Sequence, residues 1–471
     1  MNYPRIIQGG MGVAVSAWPL ANAVAKRGQL GVISGTGLDT ILTRRLQLGD
    51  IGGHMKEALA HFPVPEMAER IWDHYYIEGG KAHDAPFKSK PLPAVKSGKA
   101  LIELTVVANF VEVWLAKRGH TGLVGINLLE KIQLPTVPSL FGAMLADVDF
   151  VLMGAGIPRA IPRVLDDLAS GNPTELMIDV TGGEPVATHF DPKPFMVREL
   201  KRPKFLAIVS SASLATILAR KVTPPADGFV VEGPTAGGHN APPRGPLQLS
   251  ERGEPIYGER DQPDYEKFRE LGLPFWLAGS YGTHERLKEA LTVGAQGIQV
   301  GTAFAFCEES GITPDIKAQV IQRSLEHHAK VFTDPVASPT GFPFKVVDIP
   351  GSTSDPVVVE NRKRVCDLGY LRETYQTPDG KIGYRCPGED VDDYLRKGGD
   401  IEATKGRICI CNGLMATVGM GQVREGVHEP VLVTAGDDVA NVCRYLKPGQ
   451  STYSADDVLD LLLGATLATS H

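Results

Sequence analysis

The 471-residue sequence has few cysteines, no basic block and no apolar run of membrane length. Six cysteines in a chain this long make no disulfide framework, which argues against a small stapled secreted fold. No apolar stretch reaches the roughly 18–20 residues that span a bilayer. Met1-Asn2-Tyr3-Pro4-Arg5 has no apolar core of a signal peptide, so a reducing, cytoplasmic location is expected. Lys+Arg 48 against Asp+Glu 55 leaves a net charge of −7, a poor match for nucleic acid. No low-complexity tract or internal repeat occurs. The hydrophobic fraction of 43% and charged fraction of 22% supply a core and exclude disorder as the main state.

Glycine, at 52 residues, and proline, at 35, are somewhat high and imply many turns. Their placement is informative. Arg5–Gln8 is a short apolar strand followed by Gly9-Gly10-Met11-Gly12, a helix over Leu20–Lys26, and a second strand, Leu30–Ser34, ended by Gly35-Thr36-Gly37. Strand, glycine turn, helix, strand is the pattern of a parallel sheet. Thr40–Ile77 reads as helical, Lys81–Lys99 as loop and Thr105–Lys117 as helix. Further apolar strands are expected at Leu123–Leu128, Asp149–Met153, Phe205–Val209, Gly228–Glu232, Phe275–Gly279 and Gly297–Gly301, mostly alternating with helices. Glu175–Val180 and Pro185–His189 read as an inserted hairpin. Eight buried strands covered by helices predict an α/β fold, a closed (β/α)8 barrel; an open doubly wound sheet is the alternative. The expected domains are a barrel over residues 1–310, with a helical insertion at about 40–118, and a mixed C-terminal appendage over 311–471.

In such a barrel the loops after the strands form the active face. Here they are rich in glycine, which lets backbone approach a ligand closely. Gly279-Ser280 and Gly301-Thr302, after consecutive late strands, match the usual barrel phosphate position. Gly9, Gly10, Met11, Gly12, Gly35, Asn127, Gly237 and Gly238 complete the candidate binding set. Glu232-Gly-Pro-Thr-Ala-Gly-Gly-His239 holds a histidine in a glycine turn at a strand end. An imidazole there is suited to proton transfer near neutral pH.

Five segments, Ile6–Gly12, Gly125–Leu128, Glu232–His239, Leu277–Ser280 and Gly294–Thr302, resemble the nitronate monooxygenase (2-nitropropane dioxygenase) family. They run in family order over about residues 4–330. The resemblance implies a TIM barrel that binds flavin mononucleotide (FMN). Gly9, Gly10 and Met11 would touch the flavin ring, Asn127 would hydrogen-bond near it, and Gly238 would lie close to it. Gly279, Ser280, Gly301 and Thr302 would hold its phosphate, and His239 would be the catalytic acid/base. The implied activity is oxidation of nitronates or nitroalkanes with O2. The same superfamily contains enoyl-acyl-carrier-protein reductases, including trans-acting ones. That alternative adds NAD(P)H as reductant and an acyl carrier protein as partner. The helical insertion, the Pro-rich loop after His239 and the long tail depart from short monooxygenases and weaken a simple nitronate assignment.

In the reductase reading, Arg362-Lys363-Arg364, Arg396-Lys397 and Lys405-Gly-Arg407 are candidates for a carrier-docking patch, although an ordinary solvated surface explains them as well. The appendage leaves a homodimer open; no nucleic-acid or membrane partner is expected. Cys366, Cys386, Cys409 and Cys411 fall close together in sequence, but no Cys-x2-Cys pair occurs, and an extended Cys409-x-Cys411 would point its thiols to opposite faces. They are taken as unpaired thiols, with a metal or cluster as the lesser reading, and no metal ligand is assigned. His327-His328 reads as a surface helix end and Glu308-Glu309 as a solvated strand end. Asp437-Asp438 and Asp456-Asp457 read as helix caps and first-turn acids.

Overall fold

The computed structural model describes residues 3–195 and 198–465. Eight parallel strands close into a barrel: β1 (Ile6–Gln8), β2 (Leu30–Ser34), β3 (Val124–Leu129), β4 (Phe150–Gly154), β5 (Lys204–Val209), β6 (Gly228–Glu232), β7 (Phe275–Ala278) and β8 (Gly297–Val300). Each pairs with its neighbour in sequence order. Closure is made by β1 on β8, with Ile6 opposite Ile298 and Gln8 opposite Val300.

The strands are apolar on both faces because both are buried. One set of side chains, including Ile7, Leu30, Val32, Phe150, Leu152, Leu206, Val230 and Trp276, fills the barrel interior. The alternate set packs outward on the helices. Trp276 is fully buried, and its indole N–H donates to the Pro4 carbonyl at 2.8 Å, sealing the end where the strands begin.

The apolar periodicity of Thr40–Ile77 resolves into three helices, Leu38–Gln47, His54–Leu59 and Pro65–Tyr75. The breaks fall where the backbone leaves helical space: Gly49, Gly52 and Gly53 have positive φ, and Pro65 opens the third helix. Lys99–Lys117 packs between Trp18–Lys26 and Thr136–Leu145 and covers the outside of β2 and β3, so it is a ring helix of the barrel. The approach to Thr136–Leu145 is close enough that a Cβ on Gly142 would stand 2.1 Å from the Val106 carbonyl oxygen. The hairpin forms as Thr174–Ile178 against Val186–Phe190.

Residues beyond Phe306 wrap the barrel and share its outer core: Phe344, Val433, Val439 and Leu459 join the same buried cluster as the ring helices. The helix Ala455–Leu463 returns to Trp18–Lys26, where Arg27 pairs with Asp456 and Asp460. Ser454 caps that helix in a reciprocal box with Asp457, as its first-turn acids suggest. Glu308 and Glu309 do more than face solvent: Glu309 accepts from the Ala455 N–H at 2.8 Å and Glu308 from the Thr452 hydroxyl at 2.6 Å. His327 and His328 are exposed at a helix end. No helix among the described residues is long and apolar enough to cross a membrane.

Candidate active site

A cavity of about 250 Å³ opens at the C-terminal ends of the strands. Its walls include Gly9, Gly10, Met11, Gly12, Asn127, Gly237, Gly238, His239, Gly279, Ser280, Gly301 and Thr302. Gly35, the remaining candidate, lines a small adjoining void instead, and its N–H is taken by the Asn127 carbonyl at 2.8 Å.

The first loop is held from below by two fully buried side chains. The Gln8 amide donates to the Gly9 carbonyl, to Ser16 Oγ at 2.8 Å and to the Val32 carbonyl at 3.2 Å. Ser16 Oγ accepts from the Met11 N–H at 2.9 Å and donates to the Gly9 carbonyl at 2.8 Å. The loop is thereby fixed with its backbone toward the cavity. Gly10 has no room for a side chain, since a Cβ would stand 2.4 Å from Asn127 Cβ. The Asn127 amide donates to the Gly10 carbonyl at 2.9 Å.

Two amide oxygens at this face, Asn127 Oδ1 and Gln299 Oε1, are buried without a hydrogen-bond partner among the described residues. A buried unsatisfied acceptor costs about 1–3 kcal/mol, and both residues line the cavity. Gln299 was not singled out from the sequence, although it stands beside Gly301-Thr302 on β8. Its neighbours Ile298 and Val300 pack outward, so strand alternation turns the Gln299 side chain inward, to the cavity.

His239 stands in the turn after β6. Its Nε2 lies 2.7 Å from the Ser338 hydroxyl, and its ring meets Phe344 edge-on with centroids 4.8 Å apart. Desolvation in this enclosed pocket lowers its pKa to about 4, so the ring is neutral at pH 7. Glu232, the last residue of β6, also lines the cavity. Desolvation with no cation beside it raises its pKa to about 8, so it carries its proton at pH 7. The sequence makes Glu232 a strand end that opens the His239 segment and gives it no role of its own; its isolation from positive charge is set by tertiary packing.

The C-terminal segment completes the site, which no sequence signal indicated. Residues 343–345 bridge the histidine turn: the Asn240 N–H donates to the Pro343 carbonyl at 2.9 Å and the Lys345 N–H to the Gly238 carbonyl at 3.0 Å. Thr434 Oγ1 accepts from the Gly238 N–H at 3.0 Å, and the Gly436 N–H donates to Thr302 Oγ1 at 2.8 Å. One strap therefore ties the loops after β6 and β8. Thr302 keeps its hydroxyl proton for a ligand. Tyr370, Leu371, Ile410, Cys411 and Leu414 add an apolar wall. Tyr370 is set by hydrogen bonds to Asp39 and Thr40. Asp437 pairs with Lys345 and Asp438, at the cavity edge, with Arg444, so these acids do more than cap.

The comparisons with known proteins bear on this face. Residues 172–338 match the nitronate monooxygenase family model. That stretch carries the hairpin, β5 to β8, the His239 turn and Ser338. The chain is 36% identical over 96 residues to a probable nitronate monooxygenase of Bacillus subtilis (strain 168), covering 20% of this chain and 26% of that protein. It is 28% identical over 162 residues to a hydroxy-methyl-oxo-octahydroindene-carboxyl-CoA dehydrogenase of Mycobacterium tuberculosis (strain ATCC 25618 / H37Rv), covering 34% and 41%. The chain thus spans less than half the length of these curated relatives. Among solved structures, FabK from Thermotoga maritima aligns over 98% of this chain and 92% of its own, at 15% identity and a TM-score of 0.48. The enoyl reductase domain of MlnA from Bacillus amyloliquefaciens aligns over 98% and 93%, at 12% identity and a TM-score of 0.48.

Proposed function

We propose that the protein is an FMN-dependent oxidoreductase of the nitronate monooxygenase type, oxidising a nitronate or nitroalkane with O2. The observation that carries this reading is a neutral histidine fixed over a glycine-lined cavity that also holds two unpaired amide oxygens. The family match over the His239 turn supports it.

The residues fit a flavin. Asn127 Oδ1 and Gln299 Oε1 are acceptors suited to the N–H edge of a planar heterocycle. Gly9 to Gly12 offer backbone where a side chain would block a ring. Ser280 and Thr302 offer hydroxyls, and Gly279 and Gly301 backbone, for a phosphate. The flavin supplies the acceptance of electrons from substrate and their transfer to O2.

The protein supplies position and proton transfer. A neutral imidazole accepts the α-proton of a neutral nitroalkane, the C–H electron pair staying on the resulting nitronate. Ser338 holds the ring against rotation. The apolar wall of Leu371, Ile410 and Leu414 excludes water from the substrate side.

The test compares two substrate forms in His239→Ala. Turnover of neutral nitroalkane should fall by about 10²–10⁴, while turnover of preformed nitronate and the bound flavin remain. Unchanged turnover of the neutral form contradicts the role.

One observation favours a second reading, an NAD(P)H-dependent enoyl-thioester reductase acting on acyl carrier protein. Glu232 is a carboxylic acid held protonated in the cavity that His239 also lines, and reduction of a double bond needs a proton donor. Rapid flavin bleaching by NADPH under anaerobic conditions would select this reading; a flavin left oxidised by NADPH selects the first.

A further inference from the structure

The four clustered cysteines come from three separate segments and meet around one void. Cys366 follows the helix Pro356–Asn361, Cys386 follows the strand Ile382–Arg385, and Cys409 and Cys411 open the helix Ile410–Thr417. Sequence reasoning places Cys409 and Cys411 on opposite faces of an extended chain. They instead sit at a helix start, where Cys409 is the N-cap, and the turn brings both thiols to the same void. Its lining also includes Leu368, Leu371, Gly388, Ile410 and Asn412.

The Asn412 side-chain amide donates to Cys409 Sγ at 3.6 Å, and Cys409 Sγ lies 3.9 Å from the Val365 carbonyl. Arg362 lies against Cys409, Arg364 near Cys386 and Cys409, and Arg372 near Cys366. Arg362 pairs with Glu429, Arg364 donates to the Pro387 and Thr404 carbonyls and Arg372 to the Gly369 and Pro93 carbonyls, while Arg362 Nη2 is buried with no partner among the described residues. The three guanidinium groups match the net negative charge of a thiolate-bound metal group.

Spacing separates zinc from a cluster. Tetrahedral zinc, with Zn–S bonds of about 2.3 Å, draws its sulfurs to within about 4 Å of each other. Among the described residues, no three of the four sulfurs lie within 4.8 Å of one another. A cubane cluster carries its four thiolates on the corners of a larger core, which suits a wider set of sulfurs than one zinc ion does.

We propose that Cys366, Cys386, Cys409 and Cys411 bind a [4Fe–4S] cluster. Leu371, Ile410 and Cys411 line both this void and the active-site cavity, so the cluster stands directly behind the cavity wall and fixes it. The site stands on its own residues and does not depend on the reaction assigned to the cavity.

The test is metal analysis of the full chain purified anaerobically, and again after reconstitution with ferrous iron and sulfide. About four iron and four acid-labile sulfide per chain are expected, with a low-temperature paramagnetic resonance signal after dithionite reduction that flavin does not give. Cys386→Ala and Cys409→Ala should lose most of the iron, and Cys443→Ala, outside the ring, should keep it. Should the alanine variants not fold, the stoichiometry and resonance signal of the unaltered chain decide. Stoichiometric zinc, a Cys366–Cys386 disulfide, or no iron after reconstitution overturns the proposal.

Discussion

His239 Nε2 and the Ser338 hydroxyl stand 2.7 Å apart, joining a turn of the barrel to a residue 99 positions later. Ser338 in turn bonds Thr340 at 2.8 Å. The catalytic candidate is therefore oriented from outside its own βα unit. Ser338→Ala should leave flavin bound and reduce kcat for a neutral nitroalkane about 5- to 10-fold, the value of one hydrogen bond. Ser338→Thr, which keeps the hydroxyl, should restore much of it. Steady-state kinetics on both variants check this; an unchanged kcat in Ser338→Ala removes the positioning role.

Gly10→Ala places a methyl group 2.4 Å from Asn127 Cβ and 2.9 Å from Val32 Cγ1. Neither neighbour is the free end of a long chain, so the loop must shift. The cost is about 1–3 kcal/mol, and it falls on the loop expected to face the ring. FMN affinity, measured by fluorescence quenching, should drop about tenfold or more, which is about 1.4 kcal/mol. Affinity equal to that of the parent protein would place the ring elsewhere.

The barrel was legible because its code is local. Eight apolar strands ended by glycines, with helices between, admit few other folds, and the same glycines mark the cavity. Thr40–Ile77 was legible as helix but not in its breaks, since Gly49, Gly52 and Gly53 act through backbone dihedrals that periodicity does not register. The strap from Pro343 to Asp438 was not legible. It reaches Gly238 and Asn240, on either side of His239, by backbone hydrogen bonds, which any sequence can make, and Thr302 by a backbone N–H to its hydroxyl. The cysteine ring was hidden for a related reason: the turn at Cys409 reverses the geometry that an extended Cys-x-Cys implies.

Two buried groups give opposite pH dependences of stability. Glu232 titrates near 8 when folded against an ordinary carboxyl value near 4.5, so the native state holds an extra proton between them. The Glu232 contribution to stability should fall as pH rises from about 4.5 to about 8, by a few kcal/mol at most. His239 titrates near 4 when folded and near 6.5 when unfolded, so the unfolded state holds the extra proton there. The His239 contribution should fall as pH drops from about 6.5 to about 4, so the two offset each other below about 6.5 and the net fall shows between about 6.5 and 8. Glu232→Gln should abolish the first slope and keep the second. Denaturant melts of the flavin-free protein across pH 4–9 check both; an unaltered upper slope in Glu232→Gln shows that the side chain is ionised in the fold.

The same values set the activity profile. Because His239 is already neutral above about pH 5, kcat/KM for a neutral nitroalkane should be flat from about pH 5 to 7. Any upper limb should lie near pH 8, where Glu232 ionises, and should vanish in Glu232→Gln.

The central claim is that the cavity binds a flavin which takes electrons directly from a nitronate. The most direct measurement mixes the FMN-loaded protein with a nitronate anaerobically, with no nicotinamide present, and follows the flavin band. Bleaching that recovers on admitting O2 is the predicted result. A flavin that stays oxidised with nitronate yet bleaches at once with NADPH contradicts it.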